Sequence, residues 1–165
     1  MKRFLFKISS LIFIVGFLVA CNKQKENIFD KLNKTYKKDF KIEEKTLSLT
    51  YSIEKNQYKD KTVDLSEEDS KKVKDFFYKN DFTILKDGYK MRYENYIKVN
   101  DKMLIYFALP KENDPKDKTS FYITDSAENY TFTYWFEIQG SANEFYDIVK
   151  KYRRQIGRAS CRERV

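Results

Sequence analysis

The sequence predicts an α+β domain: a mostly antiparallel sheet of about six strands with two helices packed on one face, preceded by an apolar leader and a short N-terminal helix. Three observations carry this. Apolar residues alternate with polar ones at a period of two over several runs bounded by turn residues, the mark of half-buried strands. Two segments switch to helical spacing behind polar capping residues. The strands follow one another in runs instead of alternating with helices, the order expected when helices gather on one side of a sheet.

Ile28, Leu32 and Tyr36 recur at four-residue spacing beside Phe29. This predicts a helix over residues 26–38, or alternatively a frayed stalk. From Lys45 the period becomes two. Leu47, Leu49, Tyr51 and Ile53 alternate with Ser48, Thr50, Ser52 and Glu54, and after a turn at 55–57 residues 58–65 return as the hairpin partner. Ser66 is then an N-cap, with Glu67, Glu68 and Asp69 in a first turn where the helix dipole favours acids. Val73, Phe76 and Phe77 supply the apolar side of that helix, and Asn80 its stop.

Asp87-Gly88 marks a turn, and Tyr89, Met91, Tyr93, Ile97 and Val99 share one parity. Asn100-Asp101 separates them from residues 102–109, which are apolar on both parities after the first and read as a central strand covered on two faces. Residues 110–118 are a polar loop, 119–125 a strand and 126–129 a turn. In the last strand Tyr130, Phe132, Tyr134, Phe136 and Ile138 face one way, while Thr131, Thr133, Trp135, Glu137 and Gln139 face the other. Ser141-Ala142-Asn143-Glu144 has the form of a capping box before a helix that carries Phe145, Ile148, Val149 and Tyr152 on one side.

Ahead of this body, Lys2, Arg3 and Lys7 give a positive start to an apolar stretch at 8–19, which suits a signal peptide and is short for a stable bilayer span. It closes on Leu18, Val19 and Ala20 directly before Cys21. That order resembles the lipobox of bacterial lipoproteins. The resemblance covers the first two dozen residues and implies cleavage before Cys21, a thioether-linked diacylglycerol on its sulfur, and attachment to a membrane through that lipid. Two or three acyl chains hold durably where one holds only reversibly. Asn22, not Asp, follows the cysteine, so the enteric inner-membrane retention signal is missing. The resemblance therefore implies the outer membrane where the source has two membranes, and otherwise the outer face of the cytoplasmic membrane. Strands followed by a Leu-Ser-Glu-Glu helix start are similar to small bacterial lipoproteins, a likeness that names no activity.

The expected organisation is a signal peptide at 1–20, a lipidated Cys21 with tether and short helix at 21–44, a single domain at 45–154, and a foreign tail at 155–165. The tail turns abruptly to Arg, Gly, Ala, Ser and Cys and back-translates into a stretch that resembles a sequencing adapter, so it is set aside from fold reasoning. The 33 Lys and Arg against 25 Asp and Glu fall to 27 against 24 once Lys2, Arg3, Lys7, Arg158, Arg162, Arg164 and Glu163 are set aside. A balance of about +3 is no footprint for nucleic acid, and no nucleic-acid partner is expected. With Cys21 taken by lipid and Cys161 in the tail, the body has neither a disulfide nor a thiol nucleophile.

The chain contains no histidine, which removes the commonest general base and metal ligand. Ser70-Lys71 and Ser120 form no recognisable Ser-Lys signature. Glu67, Glu68 and Asp69 are explained by helix polarity rather than by paired-carboxylate catalysis. Glu112, Asp114 and Asp117 lack the glycine and closing glutamate of a calcium loop. No catalytic residue, metal site or cofactor is assigned. The one constellation with binding character is aromatic: Trp135 on the polar parity of its strand, extended by Tyr89, Tyr93, Tyr96 and Arg92, or else Trp135 packed under the 110–118 loop or the N-terminal helix.

Three function classes follow, in this order. The first is a non-enzymatic envelope lipoprotein that binds a protein or saccharide through its sheet face. The second is an inhibitor or immunity lipoprotein acting on an enzyme or toxin through the acidic loop. The third is a hydrolase that works with carboxylates alone.

Overall fold

The computed structural model of the chain describes residues 26–54, 57–86, 95–108, 119–125 and 133–162, with backbone alone at 52–54, 57–60, 125 and 156–162. Its helices are α1 (Ile28–Tyr36), α2 (Glu67–Lys79) and α3 (Asn143–Arg162). Its strands are β1 (Ser48–Glu54), β2 (Gln57–Asp64), β3 (Phe82–Ile84), β4 (Asn95–Lys98), β5 (Met103–Phe107), β6 (Ser120–Asp125) and β7 (Thr133–Ile138). All are antiparallel neighbours in one sheet of order β2-β1-β4-β5-β6-β7-β3. The α+β class is as expected, with seven strands rather than six. The added strand is β3, too short at three residues to show a period, which pairs with β7.

Register places the apolar parities together. Leu49, Ile97, Ile105, Ile123 and Tyr134 lie opposite one another across five adjacent strands, and Phe107, Phe121 and Phe136 form the next row. α2 and α3 pack on this face through Phe76, Phe77 and Phe145, whose rings lie 5.1 to 5.9 Å apart and meet Phe107, Phe121, Phe82 and Phe136. Burying each such side chain is worth about 1.5–3 kcal/mol relative to leaving it in water. β5 is the fourth strand of seven, and its Met103, Leu104, Ile105 and Phe107 are buried, in keeping with an interior strand.

α1 joins the same layer. Ile28, Phe29 and Leu32 enter the common core, Phe29 meets Phe77 and Tyr78, and Tyr36 and Phe40 close on Tyr134. The frayed-stalk alternative is therefore replaced by a packed helix, because three fully covered apolar residues hold it down. It is shorter than 26–38: Asn27 caps its start by accepting from the Asp30 amide at 3.0 Å, and Lys37 ends it in the left-handed conformation at φ 54°.

Ser66 caps α2 as expected, accepting from the Asp69 amide at 3.2 Å, and Asn80 ends it. At α3 the expected capping box is displaced: the Ser141 hydroxyl accepts from Asn143, two residues on, at 3.2 Å, so Glu144 falls within the first turn instead of closing the box. The Asn100 turn uses its side chain as an acceptor for the amides of Lys102 and Met103, both at 2.9 Å.

Candidate functional site

Alternation puts Thr50, Tyr96, Tyr106, Tyr122 and Trp135 on the face of the sheet opposite the helices. Register then aligns them, because Thr50 opposes Tyr96, Tyr96 opposes Tyr106, Tyr106 opposes Tyr122, and Tyr122 opposes Trp135. Four aromatic side chains thus run in one line across four neighbouring strands. Successive ring centroids are 5.1, 4.6 and 4.4 Å apart. Tyr106 and Tyr122 lie within 8° of parallel. For this central pair, a spacing equal to the interstrand distance with parallel planes means that the rings stand on edge and cover each other's faces, whereas Tyr96 is tilted by 47° against Tyr106 and Trp135 by 40° against Tyr122. What the Tyr106 and Tyr122 pair offers outward is ring rims and phenolic hydroxyls.

The ladder has a covered end and an open end. Trp135 is 6% exposed and Tyr122 is equally buried, whereas Tyr96 and Tyr106 are half-buried. The Trp135 indole N–H donates to Thr133 Oγ1 at 3.3 Å. Beside the ladder, Thr124 lies between Leu104 and Thr133 with its hydroxyl buried and without a hydrogen-bond partner. Leaving such a group unpaired costs roughly 1–3 kcal/mol. On the other flank Glu137 and Ser120 are buried, and the Gln139 amide donates to Glu137 at 3.5 Å.

Of the residues expected to form a binding patch, the structure brings Trp135 and Tyr96 onto one ladder. Arg92 and Tyr93 lie outside the described residues, as do Leu18, Val19, Ala20 and Cys21, the 110–118 loop, Tyr89, Glu112, Asp114 and Asp117. The N-terminal helix is not the cover over Trp135, because α1 packs against Tyr134, whose side chain points to the other face. Tyr106 and Tyr122 were missed by sequence reasoning. Each is flanked by core residues, Ile105 and Phe107 or Phe121 and Ile123, so the double-sided apolarity of these strands masked the phenols on the second face.

The acids at the start of α2 divide. Glu68 is exposed and pairs with Lys72 at 2.7 Å, an ordinary surface contact. Asp69, only 3% exposed, is enclosed where α2 meets α3. Lys151 donates to its carboxylate at 2.6 Å and Tyr152 at 2.8 Å, while the Ser66 amide donates to the Tyr152 hydroxyl at 2.8 Å. Burial alone would raise the Asp69 carboxyl, but hydrogen bonds from Lys151, Tyr152 and Ser66 outweigh it and hold it below the ordinary carboxylate range. Ser70 is fully buried and accepts from the Leu47 amide at 3.0 Å, while its neighbour Lys71 is exposed and paired with Asp75 at 3.0 Å. These groups tie elements together and do not converge on a cleft.

Among the described residues no group of three or more His, Cys, Asp or Glu is placed to hold a metal ion, and no helix is long and apolar enough to cross a membrane. No protein family, curated protein or solved structure matches the chain.

Proposed function

We propose that the chain is a lipid-anchored lipoprotein of the cell envelope whose folded body is a non-enzymatic binding module, meeting its partner at the Tyr96 and Tyr106 end of the aromatic ladder. The ladder is the observation that carries this reading. Its buried Trp135 end gives it a rigid base, and its half-buried end presents amphipathic side chains of the type that anchors interfaces. Because the faces of Tyr106 and Tyr122 are spent on one another, Tyr106 suits hydrogen bonds and edge contacts with a polypeptide better than flat stacking on a sugar ring. Anchoring is supported by the positive start, the apolar stretch and the Leu18-Val19-Ala20-Cys21 closure.

Both halves are testable in cells. Cys21→Ser leaves the protein unprocessed and without label after growth in radioactive palmitate; normal labelling of that variant refutes lipidation. A photo-crosslinking amino acid placed at Tyr96 or Tyr106 yields a discrete envelope adduct that one placed at exposed Glu67 does not. Equal yields at all three positions refute the ladder as the contact surface.

A further inference from the structure

We infer that the outward side of α1 and the adjoining β3 edge rest on the phospholipid headgroups, with the β2 edge of the sheet held away from them. The inference rests on the anchoring reading above and adds an orientation to it. Cys21 precedes Ile28, the first core residue, by seven positions, and seven residues span at most about 24 Å fully extended. The tether joins the body at a corner. Lys31 of α1 donates to Asp81 at 2.9 Å and to the Phe82 carbonyl at 2.7 Å, which fixes the helix to the start of β3. β3 and β2 are the two edges of the seven-stranded sheet, six interstrand steps or about 29 Å apart. A leash shorter than the sheet is wide therefore enters at one edge.

The surface at that corner fits a headgroup layer better than either sheet face does. The helix side of the sheet is already covered by α1, α2 and α3, and on the opposite side Tyr122 and Trp135 are buried. Among the described residues, the large hydrophobic side chain left exposed is Tyr36, at 36%, which sits on α1 itself with its ring 4.8 Å from that of Tyr134 and the remainder open to solvent. Tyrosine is favoured at the headgroup level because its ring is apolar and its tip polar. Lys34 lies in the last turn of the same helix and Lys37 at its C-cap. Lys34 is 79% exposed, with Glu26 as a loose partner at 3.8 Å. Exposed lysines beside a bilayer are drawn to anionic headgroups.

The test uses the lipidated protein in phosphatidylethanolamine and phosphatidylglycerol vesicles that contain a headgroup spin-labelled lipid. In a Cys161→Ser background, a fluorophore is attached to Lys34→Cys on α1 or to Glu67→Cys at the start of α2, which follows β2 directly. The Lys34 position is expected to be quenched several-fold more strongly than the Glu67 position. Equal or reversed quenching in protein that stays on the vesicles overturns the orientation while leaving anchoring intact. Protein that carries no lipid and does not associate with vesicles overturns the anchoring on which the orientation depends.

Discussion

Asp69 occupies the first turn of α2, where an acid ordinarily lies in solvent and complements the helix dipole. Here its carboxylate is enclosed and receives Lys151 and Tyr152 from α3, so it joins two helices far apart in sequence. Replacing it with alanine leaves the Tyr152 hydroxyl without its acceptor and opens the contact. The expected cost is about 2–3 kcal/mol, read as a lower urea midpoint at unchanged slope. The same group gives the protein an acid-sensitive component. Its folded-state pKa lies below the unfolded value of about 3.9, so its contribution is complete above that value and fades as pH falls through the folded one. Asp69→Asn is expected to flatten the fall of urea midpoint with acidification below about pH 4; a fall as steep as in the parent protein shows that other carboxylates carry it.

At the scale of elements, α1 shows how a helix too short to persist in isolation is kept. Nine residues are marginal in water. Its Ile28, Phe29 and Leu32 are buried, and its exit is latched by Asn33, whose amide donates to the Phe40 carbonyl at 2.9 Å and accepts from the Phe40 amide at 2.6 Å. That two-way bond returns the chain after Lys37 and seats Phe40 on Tyr134. Asn33→Ala is expected to cost about 1–2 kcal/mol and to speed amide exchange at Phe40. Unchanged exchange there contradicts the latch. The α2 boundaries were readable because Ser66 and Asn80 are strong local punctuation, as was the Asn100 turn. The start of α3 was not, since Ser141 bonds one residue nearer than a capping box requires.

For the whole molecule, the class, the helix-bearing face and the outward parity of Trp135 were legible because alternation reports burial strand by strand. Strand order was not, since local periods say nothing of neighbours: β3 finds β7, and β4 inserts between β1 and β5. The ladder followed the same limit. Trp135 and Tyr96 stood out singly, whereas Tyr106 and Tyr122 joined them only once register set the four strands side by side. The pairing of β3 with β7 also bears on how the molecule comes into being. Phe82 has Ile138 as its cross-strand neighbour, Tyr51 donates to the Val149 carbonyl, and Asp69 waits for Lys151 and Tyr152. Early synthesis supplies one side of each of these contacts and late synthesis the other, so none of them forms until the last strand and helix have been made. Such a delay would suit the export that the proposed lipid anchoring requires, in which the chain crosses a membrane before it hardens.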